Sequence, residues 1–286
     1  MAQQIKSVGL IIKRESPQAA AIARRLAQWL RERRIEILAE PEEAPGIGAI
    51  ALSKRDLAQR ADLIVILGGD GTLLSIARFV AGDTPLLGIN LGGLGFLTQA
   101  TVDEAQRAVE RVVAGDFEVD RRIGLEASIV DHTHPVEPSE PLKALNDLVI
   151  HKRKLGRLLE LEVTADGQRF CSYRADGLII ATPTGSTAYA LSAGGPIIFP
   201  TLDVIVLAPI CPHTLSNRPV VLPDTCRIEV CAHTSDHDAL VSVDGQEACA
   251  LGTADRIVIY KSDSAISLIR SSHSYFEIWR DKLHWG

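Results

Sequence analysis

Apolar residues in the first 120 positions come as short runs separated by amphipathic stretches of helical period. Residues 8–12 and 63–67 read as apolar strands, and 35–39 and 85–90 as two further strands. Ser16-Pro17 supplies a cap and a first-turn proline for a helix running to about residue 34. Residues 54–60 predict a short helix and residues 72–81 another. Thr101 and Glu104 have the spacing of a capping box for a helix that ends near Gly115. Strand–helix alternation of this kind predicts a parallel sheet with helices on its faces.

From about Gly124 the pattern changes. Runs rich in Val, Ile and Leu at 125–130, 145–150, 158–164, 178–181, 204–207, 227–232, 240–243, 256–260 and 265–269 replace the helices. Asp166-Gly167 and Asp244-Gly245 are tight-turn signals between them. This half reads as mostly β, a sandwich. The proline-containing stretch 132–141 reads as a surface loop, and residues 275–285 as a short amphipathic helix packing back on the first domain. The expected division is an α/β domain over 1–120, an all-β sandwich over 121–265, and a C-terminal segment over 266–286 that returns to the α/β domain.

Composition narrows the function. The chain has 286 residues, 46% of them hydrophobic, which is enough for a sizeable core. A net charge of −6 argues against nucleic acid as a partner, so an anionic substrate must be met by a local basic cluster. The five cysteines form no C-x-x-C pair, which predicts mostly buried thiols in a reducing compartment rather than a disulfide framework or zinc site. The polar start carries no signal-peptide pattern and no apolar stretch is long enough to span a bilayer, so a cytoplasmic protein with no membrane partner is expected.

The chemistry concentrates in a few blocks. Gly68-Gly69-Asp70-Gly71-Thr72 follows a strand and opens a helix, an arrangement that suits phosphate. A carboxylate there repels phosphate unless it meets a metal or takes a proton from an attacking hydroxyl, so Asp70 points to phosphoryl transfer. A second glycine loop spans 92–95. Neither loop completes the dinucleotide fingerprint, and no Walker A lysine is present. Thr182-Pro183-Thr184-Gly185-Ser186-Thr187-Ala188-Tyr189 and Ser192-Ala193-Gly194-Gly195-Pro196 offer hydroxyls and one aromatic ring around glycine turns, as a ribose and a base would use. A capped loop with a core tyrosine explains the same residues. Asn146-Asp147 suits a ribose diol, and the basic run from His151 to Lys154 with Arg157 suits phosphates, or is simply a solvated face.

Taken together the blocks resemble the NAD kinase family. The resemblance is carried by Gly68-Gly69-Asp70-Gly71-Thr72, Asn90-Leu91-Gly92-Gly93-Leu94-Gly95-Phe96-Leu97, Asn146-Asp147, Asp176-Gly177, the 182–189 block, Ser192-Ala193-Gly194-Gly195-Pro196 and Pro212-His213-Thr214-Leu215-Ser216. The Gly-Gly-Asp-Gly turn alone is shared with lipid kinases and phosphofructokinases; the 182–189 block is the more specific. The resemblance implies a Rossmann-like α/β domain, a β-sandwich domain, and a homodimer or homotetramer. It implies transfer of the γ-phosphate of ATP to the 2′-hydroxyl of the adenosine ribose of NAD, with a divalent cation (Mg or Mn). By the same resemblance Asp70 is the proton acceptor and Gly71 part of its turn. Asn146 and Asp147 hold the ribose, and Arg157, Arg174 and Asp176 contact the rest of the dinucleotide. Thr187, Ala188, Tyr189, Ala190, Leu191 and Ser192 line the adenosine, and Gln246 is a further NAD contact. Family members commonly carry Glu after the Asn. Asp147 is shorter by about one C–C bond, so its ribose contact is direct or bridged by water. A lipid or sugar kinase with the same turn, and a non-catalytic nucleotide-binding regulator, are the competing classes.

Overall fold

The computed structural model of the chain describes residues 5–80, 82–130, 140–153, 158–214, 216–233, 239–252 and 255–285. They fall into two compact units, Met1–Arg121 with Ala265–Gly286, and Arg122–Ser264.

The first unit is an α/β layer structure. In chain order it carries β1 (Ser7–Ile12), α1 (Pro17–Glu32), β2 (Glu36–Ala39), α2 (Ala44–Ile47), β3 (Ile50–Ala51), α3 (Lys54–Arg60) and β4 (Leu63–Leu67). Next come α4 (Asp70–Ala77), β5 (Leu86–Asn90), β6 (Ala100–Thr101), α5 (Ala105–Val113) and β7 (Val119–Arg122). Strands β1 and β4 are buried along their whole length, which is why they read as unbroken apolar runs. The Ser16 hydroxyl caps α1 by accepting from the Ala19 N–H. Its buried stripe of Ile22, Ala23, Leu26, Ala27 and Leu30 has the helical period that covers one sheet face.

The sheet order is β3-β2-β1-β4-β5, then the chain's last strand, then β7. The chain builds outward from β1 through β2 to β3, then returns to place β4 on the other side of β1, and those pairings are parallel. That reversal is a topological switch point, and the crevice at the carboxyl ends of β1 and β4 is where open α/β sheets bind ligands.

The second unit holds β8 (Leu125–Val130), β9 (Leu142–Ala144), β10 (Asp147–Lys152), β11 (Leu159–Ala165), β12 (Gln168–Ala175) and β13 (Gly177–Ala181). A 3₁₀ turn (Thr184–Thr187) and α6 (Tyr189–Ser192) follow. Then come β14 (Val204–Ile210), β15 (Val220–Pro223), β16 (Ile228–His233), β17 (Ala239–Val243), β18 (Gln246–Leu251) and β19 (Arg256–Lys261). They make two antiparallel sheets, ordered β15-β14-β13-β10-β17-β18 and β12-β11-β16-β19-β8-β9. The sheets share a core in which Leu148, Ile150, Ile180 and Val241 meet Leu161, Val163, Val230 and Ile257. The opposite face of the first sheet is also covered, where Val149, Ile179 and Val206 pack with Ala190 of α6. Asp166-Gly167 and Asp244-Gly245 are tight turns with both residues at positive φ, 48° and 75° in the first and 48° and 76° in the second.

Four sequence expectations need correction. The run at 265–269 is β20 (Ile266–Ile269), and it joins the parallel sheet of the first unit beside β5, not the β half. Helix α4 begins at Asp70 and stops at Ala77, because Phe79 and Val80 donate to Ile76 and Ala77 three residues back, closing a tighter turn. The Thr101–Glu104 box is half formed: the Glu104 carboxylate accepts from the Thr101 N–H and hydroxyl, so that hydroxyl turns away from the helix, which starts at Ala105. A complete capping box forms instead at Ser274 and Glu277 and opens α7 (Tyr275–Leu283). The cysteines are not buried: Cys211 is exposed and the other four are half-buried free thiols. Most of the 132–141 stretch lies outside the described residues.

Candidate active site

In the first unit, β4 ends at Leu67 and the chain turns through Gly68 and Gly69 into α4, which places Asp70 at the helix's first position. A carboxylate in a first turn faces unpaired N–H groups and the positive dipole end. It is also gripped from outside the helix. The Asp70 carboxylate accepts from the Phe96 N–H at 3.0 Å and the Leu97 N–H at 3.1 Å. Burial pushes its pKa up, opposed by the N–H groups of Leu97 and Phe96, the positive charge of Lys282, and the N–H of Thr98. Successive N–H groups of one loop therefore form an anion nest around this acid.

The glycine-rich loop after β5 is shaped to do this. The Thr98 hydroxyl, wholly buried, accepts from the Gly95 N–H at 2.8 Å and from the Asn90 amide at 3.2 Å. Asn90 in turn accepts from the Gly92 N–H. Gly95 is required by close approach: a Cβ there would collide with the Asp70 carboxylate and lie 2.6 Å from the Thr98 hydroxyl. Gly69 and Gly71 differ, because a Cβ on either would meet nothing within 4 Å. They leave the helix N-terminus open to an anion.

In the second unit, Asn146 and Asp147 sit at the start of β10 and are buried. Their organiser is Asp244. Its carboxylate accepts from the N–H groups of Leu145 (3.0 Å), Asn146 (2.7 Å) and Asp147 (3.2 Å). Burial and the Asp244 charge push the Asp147 pKa up to about 7, against the Tyr189 N–H that bonds to it. The side-chain oxygen of Asn146 is buried and has no hydrogen-bond partner among the described residues. An orphan acceptor costs free energy until a donor arrives, and a sugar hydroxyl is such a donor.

The 182–192 block is tied to the same place. The buried Thr182 hydroxyl donates to the Leu145 carbonyl at 2.6 Å and accepts from the Gly185 N–H at 3.1 Å. A Cβ on Gly185 would lie 2.5 Å from the backbone carbon of Asn146, so only glycine lets this turn close over the pair. Thr187 and Ala188 are half-buried, Tyr189 and Ser192 exposed, Leu191 half-buried, and Ala190 is core. Tyr189 is therefore an exposed ring, not a core one. Gln246 opens β18 across the Asp244-Gly245 turn, at the same sheet end as Asp147.

Other candidates lie elsewhere. Gly177 pairs with His151 while Ala181 pairs with Asp147, so Asp176 sits at the far end of β13. The separation along the strand is roughly 15 Å. Its carboxylate pairs with the Lys152 ammonium at 2.5 Å, a partner that reading 151–154 as a run did not single out. Arg174 is exposed on β12 in the other sheet. Arg157 lies outside the described residues. Asp244 and Thr182 were missed as organisers. The signal for Asp244 was its Asp-Gly turn, which reads as turn chemistry and hides the three N–H bonds. A cavity of about 690 Å³ in the first unit, floored by Leu87, Val112 and Ile269 and rimmed by Arg107 and Arg111, holds none of the candidate residues. Among the described residues no helix is long and apolar enough to cross a membrane.

Residues 49–117 match the model of the ATP-NAD kinase N-terminal domain, and residues 145–271 that of the ATP-NAD kinase C-terminal domain. The chain is 44% identical to the NAD kinases of Geotalea daltonii and Syntrophotalea carbinolica, in each case over 99% of both proteins. Among solved structures it is similar to yeast NADH kinase complexed with NADH, with TM-score 0.91 and 27% identity over 99% of this chain and 89% of that one. An NAD kinase from Archaeoglobus fulgidus in complex with ATP gives TM-score 0.76 and 26% identity, over 98% of this chain and 99% of that one.

Proposed function

Because the chain belongs to the ATP-NAD kinase family, we propose that it transfers the γ-phosphate of ATP to the 2′-hydroxyl of the adenosine ribose of NAD, with Asp70 as proton acceptor. The products are NADP and ADP. The reading rests on one observation, a carboxylate seated at a helix N-terminus and aimed by the N–H groups of Phe96 and Leu97.

Phosphoryl transfer needs little covalent help, so positioning and charge neutralisation carry it. The open N-terminus of α4 at Gly69 and Gly71 receives phosphate oxygens. Asp70 accepts the hydroxyl proton as the new P–O bond forms. Its raised proton affinity makes it a better base than an exposed aspartate. Asn146 and Asp147 hold the ribose, the buried Asn146 oxygen accepting from a sugar hydroxyl. Asp147 is short but buried beside the Tyr189 N–H, so its contact is direct or bridged by one water. Thr187 to Ser192 line the adenosine, and the exposed Tyr189 ring offers a stacking face. Gln246 adds a contact at the same end, and Arg157, Arg174 and Asp176 serve the remainder of the dinucleotide.

No group of three or more His, Cys, Asp or Glu that could hold a metal lies together among the described residues. A Mg²⁺ or Mn²⁺ ion brought with the triphosphate would supply charge neutralisation at the phosphates. A homo-oligomer acting in the cytoplasm on small-molecule nucleotides completes the proposal.

The test incubates the protein with ATP, Mg²⁺ and NAD and assays NADP. The Asp70→Asn variant is expected to fold and bind NAD yet lose about 10²- to 10⁴-fold in turnover. Near-normal turnover in that variant removes the base assignment.

A further inference from the structure

The loop that grips Asp70 is itself held by one side chain that does not touch the acid. Gln99 is buried and makes bonds in three directions. Its main chain donates to the Gly88 carbonyl at 2.9 Å, and its side-chain oxygen accepts from the Gly88 N–H at 2.6 Å, so both strap it to β5. Its side-chain N–H₂ donates to the Leu97 carbonyl. Its own carbonyl accepts from the Ser271 hydroxyl at 3.0 Å, in the segment between β20 and α7.

The bond to the Leu97 carbonyl matters most. In a trans peptide the C=O and the N–H of one unit point in opposite directions. Drawing the Leu97 carbonyl toward Gln99 turns the N–H of Thr98, on the other edge of that unit, toward Asp70. The preceding N–H groups of Leu97 and Phe96 follow in register. β5 is a rigid reference for this, because a Cβ on Gly88 would lie 3.0 Å from Thr98 Cα and 3.2 Å from the Gln99 oxygen, leaving no slack.

We propose that Gln99 is a positioning residue for the reaction, orienting the 96–98 loop so that its N–H groups aim the Asp70 carboxylate. The inference rests on the reading of Asp70 as proton acceptor. Gln99 contacts no substrate in this account. It acts through the loop, so its effect belongs to turnover and must vanish when Asp70 cannot act.

A double-mutant cycle tests it. Gln99→Met keeps the length and removes both side-chain hydrogen bonds. It is expected to lower kcat roughly 10- to 100-fold, with KM for ATP and for NAD within about twofold. The Gln99→Met/Asp70→Asn enzyme is expected to be no slower than Asp70→Asn alone. Gln99→Glu keeps the acceptor for Gly88 but loses the donor to the Leu97 carbonyl, so it is expected to lower kcat about as far as Gln99→Met; it also completes the cycle if Gln99→Met fails to fold. Losses that multiply in the double variant overturn the proposal while leaving Asp70 as the base. A raised KM with kcat unchanged overturns it too. Near-wild-type turnover in Asp70→Asn removes the base reading, and the inference with it.

Discussion

Asp147 and Asp244 are two carboxylates at one strand end, held in different ways. Asp244 accepts three backbone N–H groups, whereas Asp147 is buried against that charge and accepts from the Tyr189 N–H. The pKa of Asp147 stands at about 7 in the folded chain against an ordinary value of 3.8. The folded state thus binds this proton more tightly than the unfolded state. Its contribution to stability is complete below about pH 4 and is lost as pH rises through about 7. Asp147→Asn cannot ionise, so it is expected to be more stable than the unaltered protein at pH 8, by on the order of a few kcal/mol, and little different at pH 4. Thermal melts of the ligand-free proteins at both values check this; parallel melting curves contradict it. Gly95 makes a second residue-scale case. Gly95→Ala drives a methyl into the Asp70 carboxylate, which its N–H partners already pin. Turnover is expected to fall about 10²-fold, as for a 1 Å misplacement, with KM changed less. Steady-state kinetics beside a melting curve separate displacement of the acid from loss of fold.

At the scale of elements, the turn between β17 and β18 does more than reverse the chain. Through Asp244 it holds the start of β10 in shape, so Asp244→Ala strands three buried N–H groups. The expected cost is roughly 2–3 kcal/mol, read as a lower denaturant midpoint, together with loss of NAD binding. The elements that sequence reasoning missed share a cause. In the second unit, β9, β12, β15 and β18 are the four edge strands of the two sheets among the described residues. An edge strand has one solvated side, and in β12 (QRFCSYRA), mostly exposed, the residues show no run or alternation to read. Interior strands were legible because their neighbours cover them. β11 (LELEVTA) alternates because one face meets the core, and β13 (GLIIA) is continuous because both faces are buried.

For the whole molecule, the chain leaves the first unit at β7, builds the second, and returns to place β20 between β5 and β7. Ile266, Leu268 and Ile269 are buried there. Removing everything after Ser264 forfeits about 1.5–3 kcal/mol for each of them. That sum is comparable with the entire stability of a domain. Such a truncated protein is expected to lose the helical far-UV signal of α1, α3, α4 and α5 and to be cleaved readily within the first unit. Retention of that signal and of ATP binding contradicts the role given to β20.

Local chemistry was readable from the chain alone: the interior strands, the Ser16 and Pro17 cap, the glycine turn around Asp70, and the Asn146-Asp147 pair. Each depends on neighbours within a few positions, whose periodicity and turn preferences act whatever the rest of the protein does. Three features depended on the folded arrangement: the grip of residues 96–98 on Asp70, the grip of Asp244 on residues 145–147, and the pairing of β20 between β5 and β7. Each joins residues from 26 to 182 positions apart. Such partners are chosen by which strands become neighbours, and side-chain order along one segment carries no record of that choice.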